Sequence, residues 1–145
     1  MSQSFPKVKI IAVGKVKKGW VKDGIEIYRK RLPEVEVVEI KDGSKTEQAQ
    51  KLKSLLKTHD KLIALTEDGQ AFDSVKFANW LGREASGTLV CFIGGPEGIT
   101  SELKQQAHQT LSLSAMTFPH EIARLLLLEQ LYRAKTILQG GSYHK

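Results

Sequence analysis

The stretch Ile93-Gly94-Gly95-Pro96-Glu97-Gly98 follows the apolar run Thr88-Leu89-Val90-Cys91-Phe92-Ile93 and leads into Ile99 to His108. The apolar run reads as a buried strand and the segment beyond the glycines as a helix. Three glycines and a proline at the carboxyl end of a strand describe a sharply folded backbone with no side chains in the way. In open α/β sheets small ligands bind at that end of the strands. A strand-to-helix turn without a ligand has the same composition, so the neighbouring segments must decide.

Outward from this turn, strand-like and helix-like segments alternate. Lys7 to Val13, Val35 to Ile40, Lys61 to Thr66, Thr88 to Ile93 and Leu111 to Leu113 read as strands. Helices are predicted over Trp20 to Leu32, Thr46 to Thr58, Asp73 (as the cap) to about Ala85, the segment after Thr100, and Pro119 to about Leu138. Glu67-Asp68-Gly69-Gln70 reads as a turn closing the third strand. Such alternation predicts a mainly parallel α/β sheet flanked by helices, in one domain spanning 1–145. The last helix carries Ile122, Ala123, Leu125, Leu126, Leu127, Leu128 and Leu131, which leave little of it polar. That pattern points either to a homodimer interface or to a deeply packed terminal helix.

The chain has 145 residues, 41% of them apolar, enough for a real core. No apolar run reaches the length of a membrane span, and no signal-peptide pattern opens the sequence. Cys91 is the only cysteine, which excludes a disulfide within one chain and fits a cytoplasmic setting. Lysine and arginine number 22 against 16 aspartates and glutamates, a net charge of +6. Lys15, Lys17, Lys18, Lys22 and Arg29 crowd the first quarter with Trp20 among them. This composition suits a surface that grips phosphates and stacks on a base, or a solvated helix face.

Several chemistries are disfavoured. Gly14-Lys15-Val16-Lys17-Lys18-Gly19 is neither a P-loop nor a dinucleotide fingerprint. His59, His108, His120 and His144 lack metal-ligand spacing, so no metal is expected. Ser101, Ser112 and Ser114 lack a nucleophile-elbow context. What remains is a pocket where three strand ends converge, lined by glycine backbone with Leu65, Met116 and Phe118. Arg124 and Arg133 are expected on polar sides of the last helix, and Cys91 is expected to be buried and inert.

The glycine turn, together with Leu111-Ser112-Leu113-Ser114, Pro119-His120, Arg124, Leu131-Tyr132-Arg133-Ala134 and the terminal Tyr143-His144-Lys145, closely resembles the RlmH family. These are SPOUT-class methyltransferases that N3-methylate a pseudouridine of bacterial 23S ribosomal RNA. The resemblance runs from Val8 onward. It implies a C-terminal trefoil knot, a rare exception to unthreaded chains, with knot and cofactor site in about 63–145. It implies S-adenosylmethionine held by Leu65, Gly94, Leu113, Ser114, Ala115, Met116, Thr117 and Phe118. It also implies a homodimer whose tails complete each other's sites, making Tyr143, His144 and Lys145 the candidates for placing the nucleobase. The expected RNA surface comprises Lys15, Lys17, Lys18, Lys22, Arg29, His120 and Arg124, acting on 23S rRNA in the assembled ribosome. Ser142 departs from the family, which often has proline there. The alternatives are a SPOUT enzyme acting on transfer RNA and a non-catalytic ribosome-associated RNA-binding protein.

Overall fold

In the computed structural model, which describes residues 4–84 and 86–144, the apolar runs become one parallel sheet. Its strands are β1 (Lys7–Val13), β2 (Val35–Ile40), β3 (Lys61–Ala71), β4 (Thr88–Ile93) and β5 (Gln109–Ser112). They lie in the order β2-β1-β4-β3-β5, and each neighbouring pair is parallel. Ile10 of β1 sits between Val37 of β2 and Cys91 of β4, at the centre of the register. The helices are α1 (Gly19–Arg31), α2 (Lys45–Leu55), α3 (Ser74–Arg83), α4 (Ser101–Gln106) and α5 (His120–Leu138).

Strand alternation divides the core in two. Val8, Ile10, Ala12, Leu89 and Cys91 pack with residues of α1, α3 and α5. Ile11, Val13, Val90 and Phe92 pack with Ala49 and Leu52 of α2 and Leu103 of α4. A parallel sheet covered on both faces needs apolar residues at nearly every position, and β1 and β4 have them.

Local chemistry fixes the helix starts. Ser44 Oγ accepts the Glu47 N–H at 3.1 Å, while Glu47 Oε1 accepts the Ser44 N–H at 3.1 Å, a complete capping box for α2. Asp73 caps α3 as its sequence position predicts, accepting the Lys76 N–H at 2.8 Å. Thr100 does the same for α4 through the Leu103 N–H.

One expectation for the fold differs from the structure. Glu67 to Gln70 is not a closing turn. β3 runs on to Ala71, with a register shift between Leu65 and Gln70 against β5. Gly69 permits this, because a Cβ there would lie 2.9 Å from the Leu111 backbone nitrogen. The apolar girth of α5 is met in large part within the chain, with Ile122, Leu125 and Leu126 left half-buried. Leu127, Leu128 and Leu131 are fully buried, and α5 lies between α1 and α3 over β4. Leu125 packs against Gly24, where a Cβ would come within 3.1 Å of its methyl. The composition of α5 therefore does not by itself require a second subunit.

This order positions a site. β1 connects outward to β2, whereas β4 connects the other way, past β3 to β5. The adjacent carboxyl ends of β1 and β4 thus form a topological switch point, where a crevice opens.

Candidate active site at the glycine turn

Beside this switch point, at the carboxyl ends of β3 and β4, lies a cavity of about 850 Å³. Leu65 of β3, Gly94 to Ile99 after β4, and Leu113, Ser114, Met116, Thr117 and Phe118 after β5 line it, with His120 at the start of α5. Seven of the eight residues expected to hold a cofactor are among them. Ala115 lies in the same loop but does not line the cavity.

The glycines are sterically required. A Cβ on Gly94 would stand 2.9 Å from the Gly98 carbonyl oxygen, and Gly98 adopts φ +85°. Gly98 N–H donates to the Gly95 carbonyl at 2.9 Å, closing the turn. Behind it stands Gln48, only 4% exposed. Its Oε1 accepts the Gly95 N–H at 3.3 Å, and its Nε2 donates to the Gly43 carbonyl at 2.9 Å. Sequence reasoning missed Gln48. The Ser44-to-Glu47 capping pattern, which fixes the phase of α2, was the available signal.

On the β1 side, Arg124 is 2% exposed and not on a polar side of its helix as expected. Its guanidinium donates to Glu39 at 2.6 Å and to the Gly14 carbonyl at 3.0 Å, holding the end of β1. So buried an arginine presents no open face to RNA. Glu121 accepts the N–H groups of Lys17 at 2.6 Å and Lys18 at 3.2 Å. These bonds, from Lys18 and then Lys17, hold its carboxyl below the usual carboxylate range. His120 lies close to Gly14, and its Nδ1 is buried without a partner among the described residues.

Lys15, Lys17, Lys18, Lys22 and Arg29 are all exposed. Arg29 is paired with Glu26 at 2.7 Å. Tyr143 and His144 do not line the cavity of their own chain; they fold back on α5. Tyr143 donates to Glu129 at 3.1 Å, so the 3.1 Å bond with Tyr28 is donated by Tyr28. Arg133 donates to His144 Nδ1 at 2.9 Å, which puts the neutral ring's proton on Nε2. Lys145 lies outside the described residues. Among the described residues, no cluster of His, Cys, Asp and Glu could hold a metal.

A family described as Predicted SPOUT methyltransferase matches residues 7–144. The chain belongs to the SPOUT methyltransferase family. This SPOUT chain is 50% identical over 139 residues to a ribosomal RNA large subunit methyltransferase H of Parasynechococcus marenigrum, covering 96% of each protein. It is 51% identical to the protein of that name from Prochlorococcus marinus strain MIT 9303, over 94% of this chain and 91% of the relative. It is therefore a member of the methyltransferase H branch. Among solved structures, a probable methyltransferase from Bordetella pertussis Tohama I superposes with TM-score 0.62 at 17% identity, over 90% of this chain and 95% of that one. A probable methylase family protein from Haemophilus influenzae Rd KW20 gives TM-score 0.58 at 11% identity, over 98% and 72%. At such identities these two similarities show a shared fold.

Proposed function

We propose that this SPOUT methyltransferase transfers a methyl group from S-adenosylmethionine to N3 of a pseudouridine in 23S rRNA of the assembled ribosome. The observation that carries this reading is the glycine-walled cavity at the carboxyl ends of β3 and β4 in a chain half-identical to the large-subunit rRNA methyltransferases. The cavity fits the cofactor. Its volume lies within the range of small-ligand sites. Gly94, Gly95 and Gly98 line it, so glycine main chain forms part of its wall. Apolar walls from Leu65, Ile93, Leu113 and Phe118 suit a flat heterocycle.

Leu65, Gly94 and the loop from Leu113 to Phe118 would hold S-adenosylmethionine, Ala115 contributing through the loop's conformation. When bound, it supplies an activated methyl group on a sulfonium. The chain's own task is orientation and charge. The turn from Gly94 to Gly98 would place glycine backbone against the ligand, and the apolar walls would orient it. N3 of the nucleobase carries a proton that must leave, so a basic or cationic group must face it. Tyr143, His144 and Lys145 are assigned that role in a homodimer, each tail serving the partner's cavity. Lys15, Lys17, Lys18, Lys22 and Arg29 hold RNA phosphates, with His120 at the cavity rim. Arg124 acts from beneath, by fixing Gly14.

Residues 1–145 are read as one domain, with the trefoil knot and the cofactor site in about 63–145. A ribosomal substrate places the protein in the cytoplasm, and no helix among the described residues is long and apolar enough to cross a membrane. The test is transfer of label from S-adenosylmethionine to ribosomes lacking the mark, to naked 23S rRNA and to transfer RNA. Label in ribosomes alone supports the reading. Label in transfer RNA changes the substrate, and no label with any RNA leaves a non-catalytic binder.

A further inference from the structure

The chain has two tryptophans, and they are used in opposite ways. Trp80 is 9% exposed and stacks with Phe77 at 6.5 Å and against Phe72 at 5.9 Å. Trp20, the second residue of α1, is 64% exposed. α1 is seated by Val21 and Ile25, so the fold does not need the Trp20 ring. A lone exposed ring is ordinary in itself, so its meaning rests on what surrounds it.

The surroundings say what kind of contact. Lys17 and Lys18 precede Trp20, Lys22 follows it, and the first turn of α1 has no acidic residue. Only Lys18 of these forms an ion pair among the described residues, a loose 3.8 Å approach to Glu121. Cations around an exposed indole match single-stranded or looped RNA, in which phosphates and unstacked bases alternate. The segment is also rigidly placed. Glu121 holds the N–H groups of Lys17 and Lys18 from the first turn of α5, one residue from the cavity-lining His120.

We propose that Trp20 is a base-stacking platform: its indole stacks on an unpaired base of the RNA flanking the target, while the neighbouring lysines hold phosphates. This rests on the reading of the protein as an RNA methyltransferase and assigns to one residue the contact with a base. Stacking and phosphate binding are separable, because only the latter releases counterions and changes the salt slope.

The experiment compares wild type, Trp20→Ala and Trp20→Phe in methyl transfer to ribosomes lacking the mark, across a salt series. Affinity for S-adenosylmethionine is measured alongside by calorimetry. With one stacked base lost, Trp20→Ala should raise the KM for ribosomes about tenfold. The salt slope and the affinity for S-adenosylmethionine should stay unchanged, and Trp20→Phe should recover most of the loss. An unchanged KM in Trp20→Ala overturns the proposal, as does a phenylalanine variant no better than alanine. Shielding of Trp20 from acrylamide quenching in the RNA-free enzyme also overturns it, since the surface would then join two copies. Wild-type protein that methylates no RNA overturns the activity reading, and this inference with it.

Discussion

The Glu121 carboxylate accepts the Lys17 N–H at 2.6 Å, so the first turn of α5 anchors the loop leaving β1. A carboxylate that accepts two backbone N–H groups favours its charged form, which depresses its folded-state pKa. The stabilisation is thus fully present above the ordinary glutamate value of 4.5 and is lost as pH falls through the lower folded value. Hydrogen-exchange protection of the Lys17 and Lys18 amides should hold at neutral pH and collapse only below that value. Glu121→Gln should lower that protection at neutral pH and remove its acid step. Protection indifferent to both would show that Glu121 does not anchor the loop.

Gln48 joins the glycine turn to the loop before α2. Gln48→Leu keeps the side chain's bulk and removes its hydrogen bonds to Gly95, Gly43 and Asp42, leaving the buried Gly95 N–H unpaired. Loss of a neutral bond is worth about 1 kcal/mol, so affinity for S-adenosylmethionine should fall about fivefold, with kcat little changed. Calorimetry combined with steady-state kinetics checks this. A lower melting temperature at unchanged cofactor affinity would reduce Gln48 to a structural strut.

Gly94 tolerates no side chain. In Gly94→Ala the new methyl meets the Gly98 carbonyl oxygen and Ile99 at 2.9 and 3.0 Å, so the turn itself must move. Overpacking of this kind costs about 1–3 kcal/mol. The variant should melt earlier and bind S-adenosylmethionine at least about tenfold more weakly. Wild-type binding in Gly94→Ala would place the cofactor elsewhere.

Cys91 lies at the centre of the sheet, 1% exposed, and burial pushes its thiol up to about 12. Reaction with a thiol reagent at neutral pH should therefore wait for unfolding. Rapid labelling of the native protein would contradict the packing of β1 against β4.

Much of this was legible in the sequence, for physical reasons. Fully buried parallel strands are apolar at nearly every position, so β1 and β4 announce themselves, and the glycines after β4 reveal where side chains are forbidden. The run of β3 past Glu67 was hidden because Asp68-Gly69 has turn composition, and only the approach of Gly69 to β5 shows the strand continuing. Arg124 was misplaced because a guanidinium is normally exposed, while its partners, Glu39 and the Gly14 carbonyl, are distant in sequence. Gln48 was invisible because one polar residue on a polar helix carries no signal until its phase is known. The apolar girth of α5 was correctly seen but could not reveal its occupants, which are α1 and α3.

The central claim is tested most directly by mapping the methyl group itself. Ribosomes lacking the mark are treated with the protein and labelled S-adenosylmethionine, and the 23S rRNA nucleosides are resolved by mass spectrometry. The account predicts label in N3-methylpseudouridine and in no other nucleoside. Label in any other nucleoside, or none in 23S rRNA, would contradict it.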